Sequence, residues 1–346
     1  MEGIPNNRAF IAVRVNEHGV ILDPGAPSAL STALAESSPA TDLFLFSHGW
    51  WTKVPLAVAK EFYVEFTNRL LQIASQSPAG LRLPKSSFAV GIHWPSMLNE
   101  DNPHALVNWL EAFSFYTMEK RADVVGETGA ASLAQLIYRV HKESRGELRV
   151  HVLAHSFGCR VVCAAFCAAL TAIVRDFGAI PDTVRLNLVL LQAAFDHDHL
   201  EREKKYGLLC APEVPLRLLV TRSEEDLALV KLYRDAERPH HLLSKASNLA
   251  LGAVGPSPKS VADFGGKDDV AIKTGLTYSD VMSKKARLVV ADLTPLHREH
   301  PDRRHSFSGH HSDILSDELY HLLAGFLFRS ETDAASVEPQ AFRTST

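Results

Sequence analysis

Six short apolar runs, spaced along the chain and separated by stretches with helical periodicity, are the feature that most narrows what this sequence can become. In order they are DLFLFSH with Leu43 to Phe46 as its core, SSFAVGIHWPS, RGELRVHVLAHS, TVRLNLVLLQAAF, LRLLVT and ARLVVADL. Between them lie residues 55–76, which open on Pro and carry apolar positions at helical spacing, residues 104–143, and FGCRVVCAAFCAALTAIVRDFG. Strands and helices alternating in this rhythm predict an α/β protein with a doubly wound, mostly parallel sheet covered on both faces. The opening RAFIAVRV, turn NEHG and VIL predict two short strands forming an antiparallel edge. A break at Gly126 and Gly129 is expected within 104–143. Residues 240–285, rich in Gly, Pro and Ser, are expected as a loop-rich excursion between the last two strands.

One domain spanning 1–330 accommodates all of this. Residues 95–130 and 234–290 are candidate cap or active-site rim insertions, and 331–346 have too little apolar content to pack and are expected to be disordered. At 346 residues and 46% hydrophobic the chain can bury a sizeable core. The formal charge of -4, with both signs interspersed, leaves no basic stripe for nucleic acid or an anionic membrane. The first residues lack the basic start, apolar core and cleavage site of a secretory signal, and no stretch approaches about 18 consecutive apolar residues. A cytoplasmic protein without a transmembrane segment is the expectation. Cys159, Cys163 and Cys167 recur every fourth residue, but VVCAAFCAAL reads as a buried helix of small residues, so these thiols and Cys210 are expected to be core.

The run VHVLAHSFGCR places Ser156 where an apolar strand meets an apolar helix. At a nucleophile elbow the residues two before and two after the serine approach closely and must be small, and Ala154 and Gly158 are. A serine merely capping the helix is the competing reading. Acyl transfer also needs preorganised N–H donors for an oxyanion. Phe157, next after the serine, is one candidate; Trp50, in FLFSHGW with Trp51 beside it, is the other. Gly49 as a simple turn residue is the alternative there.

An acid and a histidine are expected next, in that order. After LRLLVT, Asp226 occupies the loop beyond the strand end, with Glu224 and Glu225 as competitors and Asp196 a further alternative; an acidic helix start would look the same. After ARLVVADL the segment SFSGHHSDIL offers His311 as base, with His310 as the alternative.

On these stretches, together with IHWPS, LLQAAFDHDH, TRSEEDLAL and ALGAVGP, the chain resembles the α/β-hydrolase superfamily, and within it lipase- and esterase-like serine hydrolases. The likeness runs from about residue 43 to 315 and departs at Ala154, where Gly is commoner. The resemblance implies attack by Ser156, proton transfer through His311, orientation of the imidazole by Asp226, and an oxyanion held by the N–H groups of Trp50 and Phe157. It needs no metal or organic cofactor; the implied partners are a small acyl ester and water. A thioesterase or acyltransferase would use the same residues, and a non-catalytic binding protein could share the fold. A carboxylate nucleophile, as in dehalogenases, is disfavoured by Ser156. Two other segments bear on function. His197, Asp198 and His199 in FDHDH invite a metal, although no matching ligand set recurs at a usual spacing, and a place on the active-site rim is expected. Trp109, Phe113, Phe115 and Tyr116 are expected to be mostly core, with some reaching a pocket.

Overall fold

The computed structural model describes residues 10–36, 40–49, 56–77, 81–84, 86–96, 107–144, 147–178, 183–235, 249–275, 286–305 and 308–329; for some of these, including 107–114 and 139–144, it describes the backbone alone. Among the described residues eight strands form one sheet: β1 Phe10–Arg14, β2 Ala40–Ser47, β3 Ser86–His93, β4 Glu147–His155, β5 Val184–Leu191, β6 Leu216–Arg222, β7 Lys267–Ala271 and β8 Leu288–Asp292. Their order is β1-β3-β2-β4-β5-β6-β8-β7, and every neighbouring pair is parallel. The chain is thus an α/β protein built on a single all-parallel sheet with helices on both faces.

The six apolar runs are β2, β3, β4, β5, β6 and β8. Their two faces enter different cores, as strict alternation requires. Leu43 and Leu45 of β2, Val150 and Val152 of β4, and Leu188 and Leu190 of β5 pack under helices α1 (Ala26–Ala35), α3 (Val107–Val125), α4 (Ala131–Ser144) and α5 (Gly158–Phe177). Phe44 and Phe46, Leu153, Val189 and Leu191 face the other way, toward α2 (Leu56–Gln76) and the last helix, Asp317–Leu327. Helix α5 is built of small and apolar residues, with Cys159, Val161, Val162 and Ala165 all buried. Its stretch Gly158–Asp176 is long and apolar enough to cross a membrane, but it is 67% buried as a core helix. Cys159 and Cys163 lie within that core and Cys167 at its margin, all free thiols, and burial pushes Cys167 up to about 12. Gly178, with φ 81, ends the helix in the left-handed conformation that favours glycine.

Three expectations need correction. The first is the antiparallel edge: β1 runs parallel to β3 from Phe10↔Ala89 to Arg14↔His93, and the hairpin shrinks to one antiparallel bridge, Val15↔Ile21. Asp23 explains this, since it accepts from the Arg14 backbone and guanidinium and turns the chain into α1, which crosses over toward β2. Second, the interruption expected at Gly126 and Gly129 is a change of helix type, with α3 ending at Val125 and α4 starting at Ala131. Gly126–Ala130 is a π-helical stretch joining α3 to α4, and a Cβ on Gly126 would lie 2.5 Å from the Val161 carbonyl oxygen, so the residue is small because α5 presses against it. Third, the excursion 240–285 contains β7, KDDVA, an edge strand with Lys267 and Asp269 exposed, Asp268 half-buried and a single buried side chain, Val270. The segments 236–248, 276–285 and 330–346, including the tail expected to be disordered, lie outside the described residues.

Candidate active site

Because all strands are parallel, the carboxyl ends of β2 to β6 and β8 share one edge, where open α/β sheets bind ligands. Ser156 follows β4 there with φ 55, one of only two non-glycine positive values among the described residues. Such a conformation costs about 1–3 kcal/mol and persists only where its surroundings impose it. Here the Ser156 N–H donates to Leu191 O at 3.0 Å, and its carbonyl accepts from Cys159 N at 3.1 Å and Ala194 N at 3.3 Å. Gly158 completes the turn: a Cβ there would sit 2.4 Å from the carbonyl oxygens of both Ser47 and His48. Gly49 is constrained too, since its Cβ would fall 2.8 Å from that of Ser156. Ala154, paired with Ser47 across β2 and β4, is buried.

His311 joins this serine to an acid. Its Nδ1 lies 2.7 Å from Asp226 Oδ2 and its Nε2 2.9 Å from Ser156 Oγ. A carboxylate only accepts, so Nδ1 carries the proton and Nε2 is left to accept from the serine hydroxyl. Asp226 is fully buried, and its other oxygen accepts from Leu229 N at 3.0 Å. Gly309, φ 64, lets the two loops meet, because a Cβ would lie 2.4 Å from Glu225 O. His310 N–H donates to Glu225 O at 3.2 Å and Ala228 N–H to Ser308 O at 3.3 Å, lacing the histidine loop to the acid loop.

Two side chains that sequence reasoning missed hold the same loop from the sheet side. His155 Nε2–H donates to the His311 carbonyl at 2.7 Å, and Gln192 Nε2 donates to the His310 carbonyl at 2.8 Å. Burial, reinforced by the neighbouring His311 ring, pushes His155 down to about 3, so it is a neutral donor. Gln192 is the second non-glycine residue with positive φ, 47, and its N–H donates to Thr221 Oγ1 at 2.9 Å. The signals available were the histidine inside the elbow itself and the Gln that ends an apolar strand.

The other loop expected near the serine is fixed by His48. Its Nδ1–H donates to Gly49 O at 2.9 Å, its Nε2 accepts from Trp94 N at 3.2 Å, and Trp94 Nε1–H donates back to His48 O at 3.1 Å. Burial pushes this imidazole down to about 4, keeping it neutral. Trp50 and Trp51 lie outside the described residues. Phe157 is buried at the start of α5, its ring edge-on to Phe115 at 5.1 Å, which in turn meets Tyr233 at 5.3 Å. Phe115 is thus core and Tyr116 partly buried against it; the side chains of Trp109 and Phe113 lie outside the described residues.

The alternatives fall elsewhere. His310 is buried with its ring stacked on His297 at 4.5 Å. Glu224 and Glu225 both pair with Arg298, at 3.2 and 2.8 Å. Asp196 accepts from Tyr233 OH at 2.9 Å. In FDHDH, Asp196, Asp198 and His199 gather ligand atoms within 4.8 Å, without His197, but Asp198 is paired with Lys204 at 3.1 Å. Compared with known protein families, curated proteins and solved structures, the chain matches none.

Proposed function

We propose that the protein is a serine hydrolase of the α/β-hydrolase fold that cleaves carboxylic esters, in the manner of carboxylesterases and lipases. The observation that carries this reading is the unbroken hydrogen-bonded chain from Ser156 Oγ through His311 to Asp226, mounted on a strained turn between β4 and α5. Its members follow β4, β6 and β8 in the order serine, acid, histidine, as the elbow architecture requires.

Ser156 Oγ attacks the ester carbonyl carbon while its proton passes to His311 Nε2. Asp226 holds the ring in the needed tautomer and stabilises the imidazolium. The N–H groups of Phe157 and Trp50 receive the oxyanion; Phe157 stands at the amino end of a 20-residue helix, whose dipole favours negative charge. As the tetrahedral adduct collapses, His311 Nε2–H protonates the departing alcohol and an acyl ester remains on Oγ. A water molecule, deprotonated by Nε2, then attacks that ester; the bond from the acyl carbon to Oγ breaks as Nε2–H returns its proton to Ser156, and the carboxylic acid leaves. His155 and Gln192 keep the His311 loop in place throughout.

The test is labelling with a fluorophosphonate, followed by peptide mapping, on the native chain and on Ser156→Ala. Modification confined to Ser156, absent in the variant and accompanied by loss of ester hydrolysis of about 10³-fold or more, is the expected result. A folded native chain that stays unlabelled and hydrolyses no ester refutes the reading.

A further inference from the structure

Behind the histidine loop lies a second cluster that the proposed chemistry does not use. His297, from the helix Thr294–Glu299, and His310 and Asp313, which flank His311, turn their polar atoms toward one another. His310 Nδ1 is 3.6 Å and His297 Nε2 4.0 Å from Asp313 Oδ2, and all three atoms lie within 4.8 Å. None of the three has a hydrogen-bond partner, although His297 is 0% and His310 1% exposed. Leaving one buried polar atom unsatisfied costs about 1–3 kcal/mol, so three at one point call for a common partner.

We propose that His297, His310 and Asp313 form a binding site for a zinc-like divalent transition cation that clamps the loop carrying His311. Two imidazole nitrogens and one carboxylate oxygen suit such an ion; calcium and magnesium prefer oxygen ligands alone. Tetrahedral bonds of about 2.0–2.1 Å put donor atoms about 3.3 Å apart, so the His310–Asp313 pair at 3.6 Å closes by about 0.3 Å and the His297–Asp313 pair at 4.0 Å by about 0.7 Å. The two rings, now stacked within 10° of parallel, turn on binding so that both in-plane lone pairs point at the ion. Water completes the coordination of an ion held by these three side chains.

The surroundings are built for one ligand tautomer. His297 Nδ1 is 2.8 Å from Ser223 Oγ, so a proton held there leaves the Nε2 lone pair free, as outer partners of metal-binding histidines do. Ser223 Oγ also accepts from Glu225 N at 3.1 Å, which connects the cluster to the loop of Asp226. Burial is the main influence that disfavours a proton's charge on His297, the His310 ring and Arg303 add to it, and Asp292 and the Asp313 backbone act in the opposite sense. Asp196, Asp198 and His199 make a weaker candidate, because their carboxylates already serve Tyr233 and Lys204.

Zn²⁺ titrated calorimetrically into the chelator-stripped full chain is expected to bind at one ion per chain, and Co²⁺ in its place to give the intense visible absorption of a four-coordinate centre. Asp313→Asn and His297→Gln are each expected to weaken binding about tenfold or more; Asp313→Asn, at the cluster's outer margin, is the variant to rely on if His297→Gln does not fold. Asp198→Asn is the control that leaves binding unchanged. Loading is also expected to protect the backbone amides of residues 308–314 from hydrogen exchange. Absence of stoichiometric binding by the folded chain, binding indifferent to Asp313→Asn, or loading without added protection overturns the proposal and leaves an ordered water as the common partner. Only the consequence for His311 rests on the hydrolase reading: Ser156→Ala keeps the cation and loses the label, so the two can fail separately.

Discussion

Two Asp–His pairs with the same 2.7 Å contact sit in different parts of this molecule, and only one of the two presents its second imidazole nitrogen to a serine hydroxyl. Asp226 and His311 meet at the carboxyl ends of the strands, where the free imidazole nitrogen faces Ser156. Asp42 and His151 meet inside the sheet, on β2 and β4, both fully buried. There the second carboxylate oxygen takes the Arg149 guanidinium at 2.6 Å, and His151 Nδ1 is 3.2 Å from the Asn187 amide of β5. The ring stacks on Phe44 at 4.9 Å and stands edge-on to Phe328 at 5.7 Å. Every polar valence of the inner pair is thus spent on its neighbours, while the outer pair keeps one directed at a hydroxyl. A close Asp–His contact is therefore no mark of an active site; the third partner and its position on the sheet decide.

Asn substitution at the two acids separates the pairs most sharply. Asp226→Asn removes the acceptor that fixes the His311 tautomer, and kcat for ester hydrolysis is expected to fall by about 10⁴-fold while the thermal midpoint changes little. Assaying hydrolysis against p-nitrophenyl esters, with circular dichroism on the same sample, checks both halves. Retention of full activity would mean that Asp226 merely caps the segment beginning at Leu227.

Asp42→Asn is expected to do the reverse. It leaves the buried Arg149 guanidinium, 7% exposed, without its counter-charge, which costs roughly 3–5 kcal/mol of stability, yet the specific activity of the folded fraction stays native. Urea unfolding measures the first quantity and active-site titration the second. Loss of activity in a variant of unchanged stability would show that the two pairs are coupled through β4, and the contrast between them would fail.

The difference between the pairs also explains what could be read from the chain. Runs such as LVLLQAA and LRLLVT announce buried parallel strands, because residues facing two cores must be apolar at every position. Ser156, Asp226 and His311 were accessible because their motif is local and their order follows from strand succession. The preference for Asp226 over Glu224 and Glu225 rests on less, since one turn settles which carboxylate points inward, and Arg298 collects the other two. The inner pair depends on a register, Asp42↔Arg149 beside Phe44↔His151, that exists only once β2 and β4 are aligned. Strand β7 leaves almost no apolar signature in the sequence, being a charged edge strand with one buried residue. His297 and His310 meet only through the path of the loop between them.

Acid sharpens the comparison further, because the strand-end clamps hold their imidazoles neutral. An ordinary unfolded-state histidine titrates near pH 6.5, whereas burial holds His48 at about 4 and His155 at about 3 in the folded chain. Between those values the unfolded chain binds protons that the folded chain refuses, so stability is fully present above about pH 6.5 and is lost as pH falls. Each such histidine contributes a slope of up to about 1.4 kcal/mol per pH unit. Urea midpoints measured from pH 7 to pH 5 are expected to decline accordingly, and His48→Gln, which cannot titrate, to flatten the decline by close to one proton. Equal slopes in the native chain and the variant would mean that His48 is already protonated in the fold. It would then have to donate from Nε2, where the structure has it accepting from Trp94 N–H, and the clamp on the Gly49 loop would need a different hydrogen-bond assignment.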